Sequence, residues 1–419
     1  MAHVLHPHTD SISPRRDDEE SRPAGGANSM TTSHVSLGSE RLLASGTLRN
    51  RRVGIVSNPA SIDASFRHIV RAIADEPGVT LAAIFGPQHG YRADVQDNMI
   101  ETSHAQDPTR GVPIYSLYSE TREPTGEMLE GLDVLVIDLQ DVGSRIYTFV
   151  YTMANCLRAA RKHGVPVIVA DRPNPIGGVR MEGPLLLKGF ESFVGQFPIP
   201  LRHGMTIAEL ARFFNDACGI GADLTVVPME GWHRSMYYED TGLPWVMPSP
   251  NMPTVDTTVV YPGAVLFEGT NVSEGRGTTR PFELIGAPWV DPDALADTLN
   301  RHDLPGVHFR PVVFEPTFQK HAKQACAGCQ IHVLDRDAFC SVESAVAVLA
   351  EIRAQNPSMF EWRQPPYEYE LEKLPFDILA GSRELRNQIE AGLPVRTMSY
   401  SWVQDHERFR DKRKPYLLY

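Results

Sequence analysis

Cysteine, long apolar runs and an excess of positive charge are all missing from this sequence. Five cysteines in 419 residues do not build a disulfide framework, and only Cys326 and Cys329 share a CxxC spacing. That pair has no second CxxC and no nearby histidine pair, so it lacks a zinc-ligand pattern. Nor does it open a helix after a strand, as a redox pair would. The cysteines are therefore expected to be reduced packing thiols. No segment approaches the roughly 18 consecutive apolar residues of a membrane helix. Forty Lys and Arg against 52 Asp and Glu leave a net charge of -12, which argues against a phosphate-backbone partner. No nucleic acid and no membrane is expected among its partners. The first strand is followed by neither GxGxxG nor GxxxxGK[ST], so no nucleotide cofactor is expected, and no GxSxG elbow is present.

The hydrophobic fraction of 42% is that of an ordinary globular chain. Its length is more than one core usually supports, and two domains are expected, divided near residue 200. Residues 1–38 are polar and rich in Ser, Pro, Arg and acid. Lacking an apolar central region, they suit a disordered extension rather than a secretory signal, and the expected location is cytoplasmic. A basic cluster from Arg410 to Lys414 is expected to be a solvated tail. For the oligomer, a homodimer is the default as the commonest state.

Four apolar runs in the first half each end in a polar loop: GIVSNPAS from Gly54, LAAIFGPQHGYR from Leu81, VLVIDLQDVGSR from Val134 and VPVIVADRPNPIGG from Val165. Near-continuous apolar runs fit strands buried on both faces of a parallel sheet. Helical patterns alternate with them, including the one from Thr148 that stops at Gly164. The fold class is therefore α/β: a Rossmann-like doubly wound sheet over 39–200, then a smaller C-terminal α/β domain over 201–419. Within the latter, Thr206 and Glu209 form a capping box ahead of a helix, and residues 240–290 are expected to form a long, site-building loop whose aromatics would suit a sugar.

Loops at the carboxyl ends of parallel strands share one edge. Asn58, Gln88, His89, Arg92, Asp138, Asp141, Arg145, Asp171, Arg172 and Asn174 would then line one crevice, and an enzyme site explains that density better than packing does. The long loop adds Asn251, Glu268, Thr270, Asn271, Glu274 and Glu283, and His203 precedes it. A metal site from His89, His104 and an aspartate has no supporting spacing. For Asp141 the alternative is an ion pair with Arg145, and for Asp171 a turn that binds backbone amides.

The stretches GPQHGYR, DLQDVGSRIYTF, DRPNPIGG, PIPLRHGMTIAELA, PSPNMP and LFEGTNVSEGRGTTRPFE resemble the bacterial exo-β-N-acetylmuramidase family. These are glycoside hydrolases of peptidoglycan turnover, long a domain of unknown function. The resemblance covers about residues 40–419. It implies a cleft between two domains and release of terminal N-acetylmuramic acid from peptidoglycan fragments. It also implies a catalytic glutamate in a Pro-Glu-His-Gly motif, where this chain has Gln88. An amide cannot donate the proton. Either another carboxyl does so, with Glu268, Asp171 and Glu101 as candidates and His89 as a shuttle, or the protein binds such a sugar without cleaving it. Arg92, Arg145 and Arg172 are candidates to clamp the sugar's lactyl carboxylate. Asn251, Thr270 and Asn271 are candidates for its hydroxyls.

Overall fold

Valine- and isoleucine-rich runs that can bury both faces set the framework. The computed structural model describes residues 34–93, 96 and 100–419. Its strands are β1 (Arg52–Ser57), β2 (Thr80–Gly86), β3 (Ala105–Gln106), β4 (Pro113–Ser116), β5 (Val134–Asp138), β6 (Val167–Ala170), β7 (Glu182–Leu185), β8 (Pro200–Arg202) and β9 (Leu224–Val227). Seven of them form one sheet in the order β3-β4-β2-β1-β5-β6-β9. Every pairing is parallel except that of β3, a two-residue edge strand antiparallel to β4. β7 and β8 make a separate antiparallel ribbon. All five residues of β5 are buried.

Both faces of the sheet are covered. Ile55, Ile84 and Val136 pack with Leu42, Ile69 and Ile73 of the helices Gly38–Ala44 and Ile69–Ala74. Val56, Phe85 and Ile137 face the helix Phe149–His163, which ends on Gly164 in the left-handed conformation, φ 69°. That second face belongs to a core that continues into the C-terminal half through Val265, Ile285 and Val346. There β10 (Leu284–Ala287), β11 (Val307–Phe314) and β12 (Cys326–Val333) form an antiparallel sheet in the order β10-β12-β11. Cys326 and Cys329 lie buried on β12 as free thiols.

Several local expectations need revision. The extension expected over 1–38 falls largely on residues 1–33, outside the described residues. From residue 35 the chain belongs to the fold: Val35 is buried and Ser36 exchanges backbone hydrogen bonds with Glu230. The stretch 240–290 is not one loop. It contains the helix Val255–Ala264, a 3-10 turn over Val265–Gly269 and β10. Glu268 lies within that 3-10 turn. The basic C-terminus is not a solvated tail either. It forms the helix Val403–Arg413, and Arg413 is buried and donates to the carbonyls of His203 and Gly204. By contrast, the Thr206–Glu209 capping box is present as its spacing implied.

The switch point of the sheet lies between β1 and β5, where the strand order changes direction. A buried ion pair holds it: Arg172 grips both oxygens of Asp138 at the end of β5 and donates to the carbonyl of Ile62. Removing one partner of such a pair leaves an uncompensated buried charge. Asp138→Ala is expected to lower stability by about 3–5 kcal/mol, measured by urea unfolding at neutral pH. A loss below about 1 kcal/mol would mean that Arg172 finds another partner.

Candidate active site

Four segments meet beyond the sheet and line one pocket. The loop after β2 supplies Gln88 and His89. The entry to the helix Phe149–His163 supplies Tyr147 and Thr148. The middle of the chain supplies Ser249, Asn251, Tyr261, Glu268, Arg276 and Phe282, and a late turn supplies Tyr367 and Glu368. Side chains far apart in sequence thus face one space.

The late turn is conformationally unusual. Tyr367 and Glu370 exchange both backbone hydrogen bonds at 2.9 Å. The two residues between them, Glu368 and Tyr369, have φ of 44° and 69°. This is the left-handed two-residue hairpin turn that normally takes Asn-Gly. Side chains are rarely placed there, and such placements cluster at functional sites. His89 and Phe282, on the other walls, are also left-handed, at 71° and 65°. The turn buries Glu368, leaving it 4% exposed, and turns Tyr369 outward.

Two carboxyl groups share the pocket in opposite electrostatic states. Glu368 accepts a hydrogen bond from the Tyr118 hydroxyl at 2.9 Å and a longer one from the Gln88 amide at 3.4 Å. Burial, reinforced by the negative charge of Glu268, outweighs both bonds and pushes Glu368 up to about 7. Burial alone would raise Glu268 as well. The guanidinium of Arg276, 2.6 Å from Glu268 Oε1, and the Tyr367 hydroxyl, 2.7 Å from Oε2, reverse that and hold it below the usual carboxylate range. One carboxyl can keep a proton near neutrality while its neighbour stays charged, and this divergence separates an acid from an ionised partner. Gln88 is fixed between them and the sheet: Thr148 donates to its Oε1 at 2.8 Å, which turns the amide nitrogen toward Glu368.

The candidates named from sequence divide sharply. Gln88, His89, Asn251 and Glu268 line the pocket. Asn251 also donates to the carbonyl of Gln96. Glu274 lies just behind it, bound to Arg276 and Lys320. Most others are consumed by the scaffold. Asp138 and Arg172 pair with each other. Asn58 binds Gln140 and Ser61, and Asn174 binds the backbone of Met205 and Ile176. Thr270 closes its own turn, and Asn271 is held by the backbone of Met359 and Glu361. Glu283 is bound to Thr257 and Arg280.

Asp141 does not pair with Arg145. It caps Gly143 and lies 3.5 Å from His203, while Arg145 donates to the carbonyls of Pro184, Ile199 and Leu379. Asp171 is not on the pocket. Burial pushes it up to about 7, but it receives hydrogen bonds from Thr206, Tyr419 and the amide of Ala208. Glu101 is exposed, paired with Arg122 at 3.1 Å, and with exposed Arg92 and His104 it borders a different hollow. Sequence reasoning missed Glu368, Tyr367, Arg276 and Tyr118. The one available signal for Glu368 was the aromatic bracket in Pro-Pro-Tyr-Glu-Tyr.

A Rossmann-like sheet whose switch-point loops meet a second half over a protonatable and an ionised carboxyl defines a protein of the carboxyl-dependent hydrolase type. Comparison with known proteins agrees. Residues 53–256 match the family described as exo-beta-N-acetylmuramidase NamZ, N-terminal, and residues 259–419 match its C-terminal counterpart. The chain belongs to this family. It is 48% identical over 372 residues to the peptidoglycan beta-N-acetylmuramidase NamZ of Bacillus subtilis, covering 89% of this chain and 88% of that protein. Two solved DUF1343 family proteins of Bacteroides fragilis share the fold. One has a TM-score of 0.83 at 36% identity and the other 0.70 at 30%, each covering 92% of this chain and 99% of its own.

The raised Glu368 has a consequence for stability. In the unfolded chain a glutamate ionises near about 4.3, whereas folded Glu368 keeps its proton to about 7. Between these values the folded state binds more protons, so the contribution of Glu368 is full below the lower value and is lost as pH rises through the upper one. The stability difference between the native protein and Glu368→Gln should shift in favour of the variant from about pH 4.5 to 7, read as urea midpoints against pH. A difference independent of pH would show that Glu368 titrates normally.

Proposed function

We propose that this protein is an exo-acting β-N-acetylmuramidase, a glycoside hydrolase that releases terminal N-acetylmuramic acid from peptidoglycan-derived saccharides. The observation that carries the chemistry is the pairing of protonatable Glu368 with ionised Glu268 in one pocket. In this reading Glu368 places its proton on the glycosidic oxygen as the bond to the anomeric carbon breaks, and a water molecule then adds to that carbon and returns a proton to Glu368. Glu268, held charged by Arg276 and Tyr367, faces the positive charge that develops on the sugar ring. Gln88 acts as a positioning residue: its amide nitrogen contacts Glu368 and cannot itself supply a proton.

The rival reading, a sugar-binding protein that lost its acid, drew its support from Gln88 alone. Glu368 in the same pocket removes that support, and family membership favours the enzyme.

Hydrolysis of a chromogenic N-acetylmuramic acid β-glycoside tests the assignment. The native protein is expected to turn over, with kcat/KM falling above about pH 7 as Glu368 loses its proton. Glu368→Gln should lower kcat by about 10²–10⁴-fold and abolish that alkaline limb. A variant as fast as the native protein would remove Glu368 from the mechanism. Gln88→Glu would set a second carboxyl beside the first. Since two adjacent like charges resist ionising together, its alkaline limb should move to higher pH in the same assay. An unmoved limb would mean that residue 88 does not sense the acid.

A further inference from the structure

The turn that carries Glu368 has to be held from outside itself. Two consecutive residues, Glu368 and Tyr369, take left-handed backbone without being glycine or asparagine, and each such placement costs free energy that the surroundings must offset. The backbone of the turn is closed by the pair of hydrogen bonds between Tyr367 and Glu370. On the pocket side, Tyr367 reaches Glu268, and Glu368 reaches Tyr118 and Gln88. Tyr369 points the other way: it is half exposed and does not line the pocket.

Arg122 lies against that outward ring. Its guanidinium carbon is 3.6 Å from the centroid of the Tyr369 ring and 5.5 Å from that of Tyr118. At the shorter distance the planar cation lies over the ring face. Arg122 is itself anchored to the N-terminal half. Nη1 donates to the Ser119 carbonyl at 2.9 Å, Nη2 donates to Glu101 at 3.1 Å, and its own carbonyl accepts from Asn155 at 3.1 Å. The rings of Tyr118 and Phe193 meet Tyr369 edge-on, at 6.0 and 6.1 Å. Tyr118 links this outer cluster to the acid, because its hydroxyl donates to Glu368. The Tyr369 hydroxyl lies 3.5 Å from Glu101, too long for a strong bond, so the ring carries the contact.

We propose that Arg122 is a positioning residue for the acid: lying over the ring of Tyr369, it holds the turn 367–370 in the form that places Glu368 in the pocket. The inference rests on the hydrolase reading above and adds to it two residues outside the pocket. A cation over an aromatic ring shifts an equilibrium by a factor of about 2 at an exposed site and about 30 when desolvated. Against a turn built on two left-handed side-chain-bearing residues, that factor sets the fraction of molecules with the acid in place. In an open turn Glu368 meets water and ionises as an ordinary glutamate, so rising pH favours opening. The titratable and charged groups that face Glu368 in the closed turn are Tyr118, Glu268, Arg276 and Tyr367, and the variants below alter none of them.

The test compares Arg122→Ala, Tyr369→Ala and the double variant with the native protein, by chromogenic hydrolysis and by urea midpoints against pH. In each single variant kcat is expected to fall about three- to thirtyfold. KM should change by less than about twofold, since the acid acts as the bond breaks. The alkaline limb of kcat/KM should move to lower pH by about 0.5 unit or more. The pH-dependent stability difference from the matching Glu368→Gln variant should end at a correspondingly lower pH. The double variant should be no slower than the slower single one. Tyr369→Phe, which keeps the ring, should recover most of what Tyr369→Ala loses. Tyr369→Ala, at a half-exposed position, keeps the test open if Arg122→Ala does not fold. If neither pH readout moves, whatever happens to stability itself, the stack is a structural contact only and the proposal is overturned, while native hydrolysis leaves the hydrolase reading intact. Losses that multiply in the double variant, or Tyr369→Phe as slow as Tyr369→Ala, also overturn it. Absence of native hydrolysis, with the stability readout still moved by Arg122→Ala, overturns the hydrolase reading and leaves the hold of Arg122 on the turn in place.

Discussion

Arg276, with the Tyr367 hydroxyl, keeps Glu268 ionised at a depth where burial alone would neutralise it. Because Glu268 stays negative, it helps to raise Glu368 across the pocket. Replacing the pair by apolar residues of similar volume could stabilise the fold, as buried ion pairs seldom justify themselves energetically. Here the charge also adds to the burial that lets Glu368 hold its proton.

The parts that hold these groups share a device. Glu368, His89 and Phe282 are presented from left-handed backbone, and Arg276 from between two left-handed glycines. Regular strands and helices alternate or rotate their side chains by fixed steps, and such periodicity does not aim three distant segments at one point. Irregular backbone does, supported underneath by a sheet whose ends are tied by polar contacts. The Asp138–Arg172 pair and the Asp171 hydrogen bonds belong to that support.

Fold was legible in the sequence because it depends on runs. Val134–Ile137 is buried and reads as an unbroken apolar stretch; Gly164 and the Thr206–Glu209 box mark their helix ends by type alone. The site was legible where a loop directly follows a strand, as with Gln88 and His89, and in part along 240–290, as with Asn251 and Glu268. Polar residues at strand ends have two uses, and sequence does not separate them. Asp138, Asp141, Arg145, Asp171 and Asn174 satisfy backbone and neighbouring charge within the scaffold, while Gln88 faces the pocket. Glu368 was hidden for a different reason. Its contact with Gln88 spans 280 positions, and its turn carries none of the Asn or Gly that would mark a left-handed hairpin.

That long-range contact ties chemistry to assembly. Gln88 belongs to the loop after β2, and Glu368 reaches it only when the late turn has docked. In a chain whose sheet has formed but whose final quarter is still in water, Glu368 is an ordinary glutamate, ionised at neutral pH. Such a half-built molecule holds no proton to give. The raised value of Glu368 is thus made by the docking of the late turn rather than carried by the polypeptide.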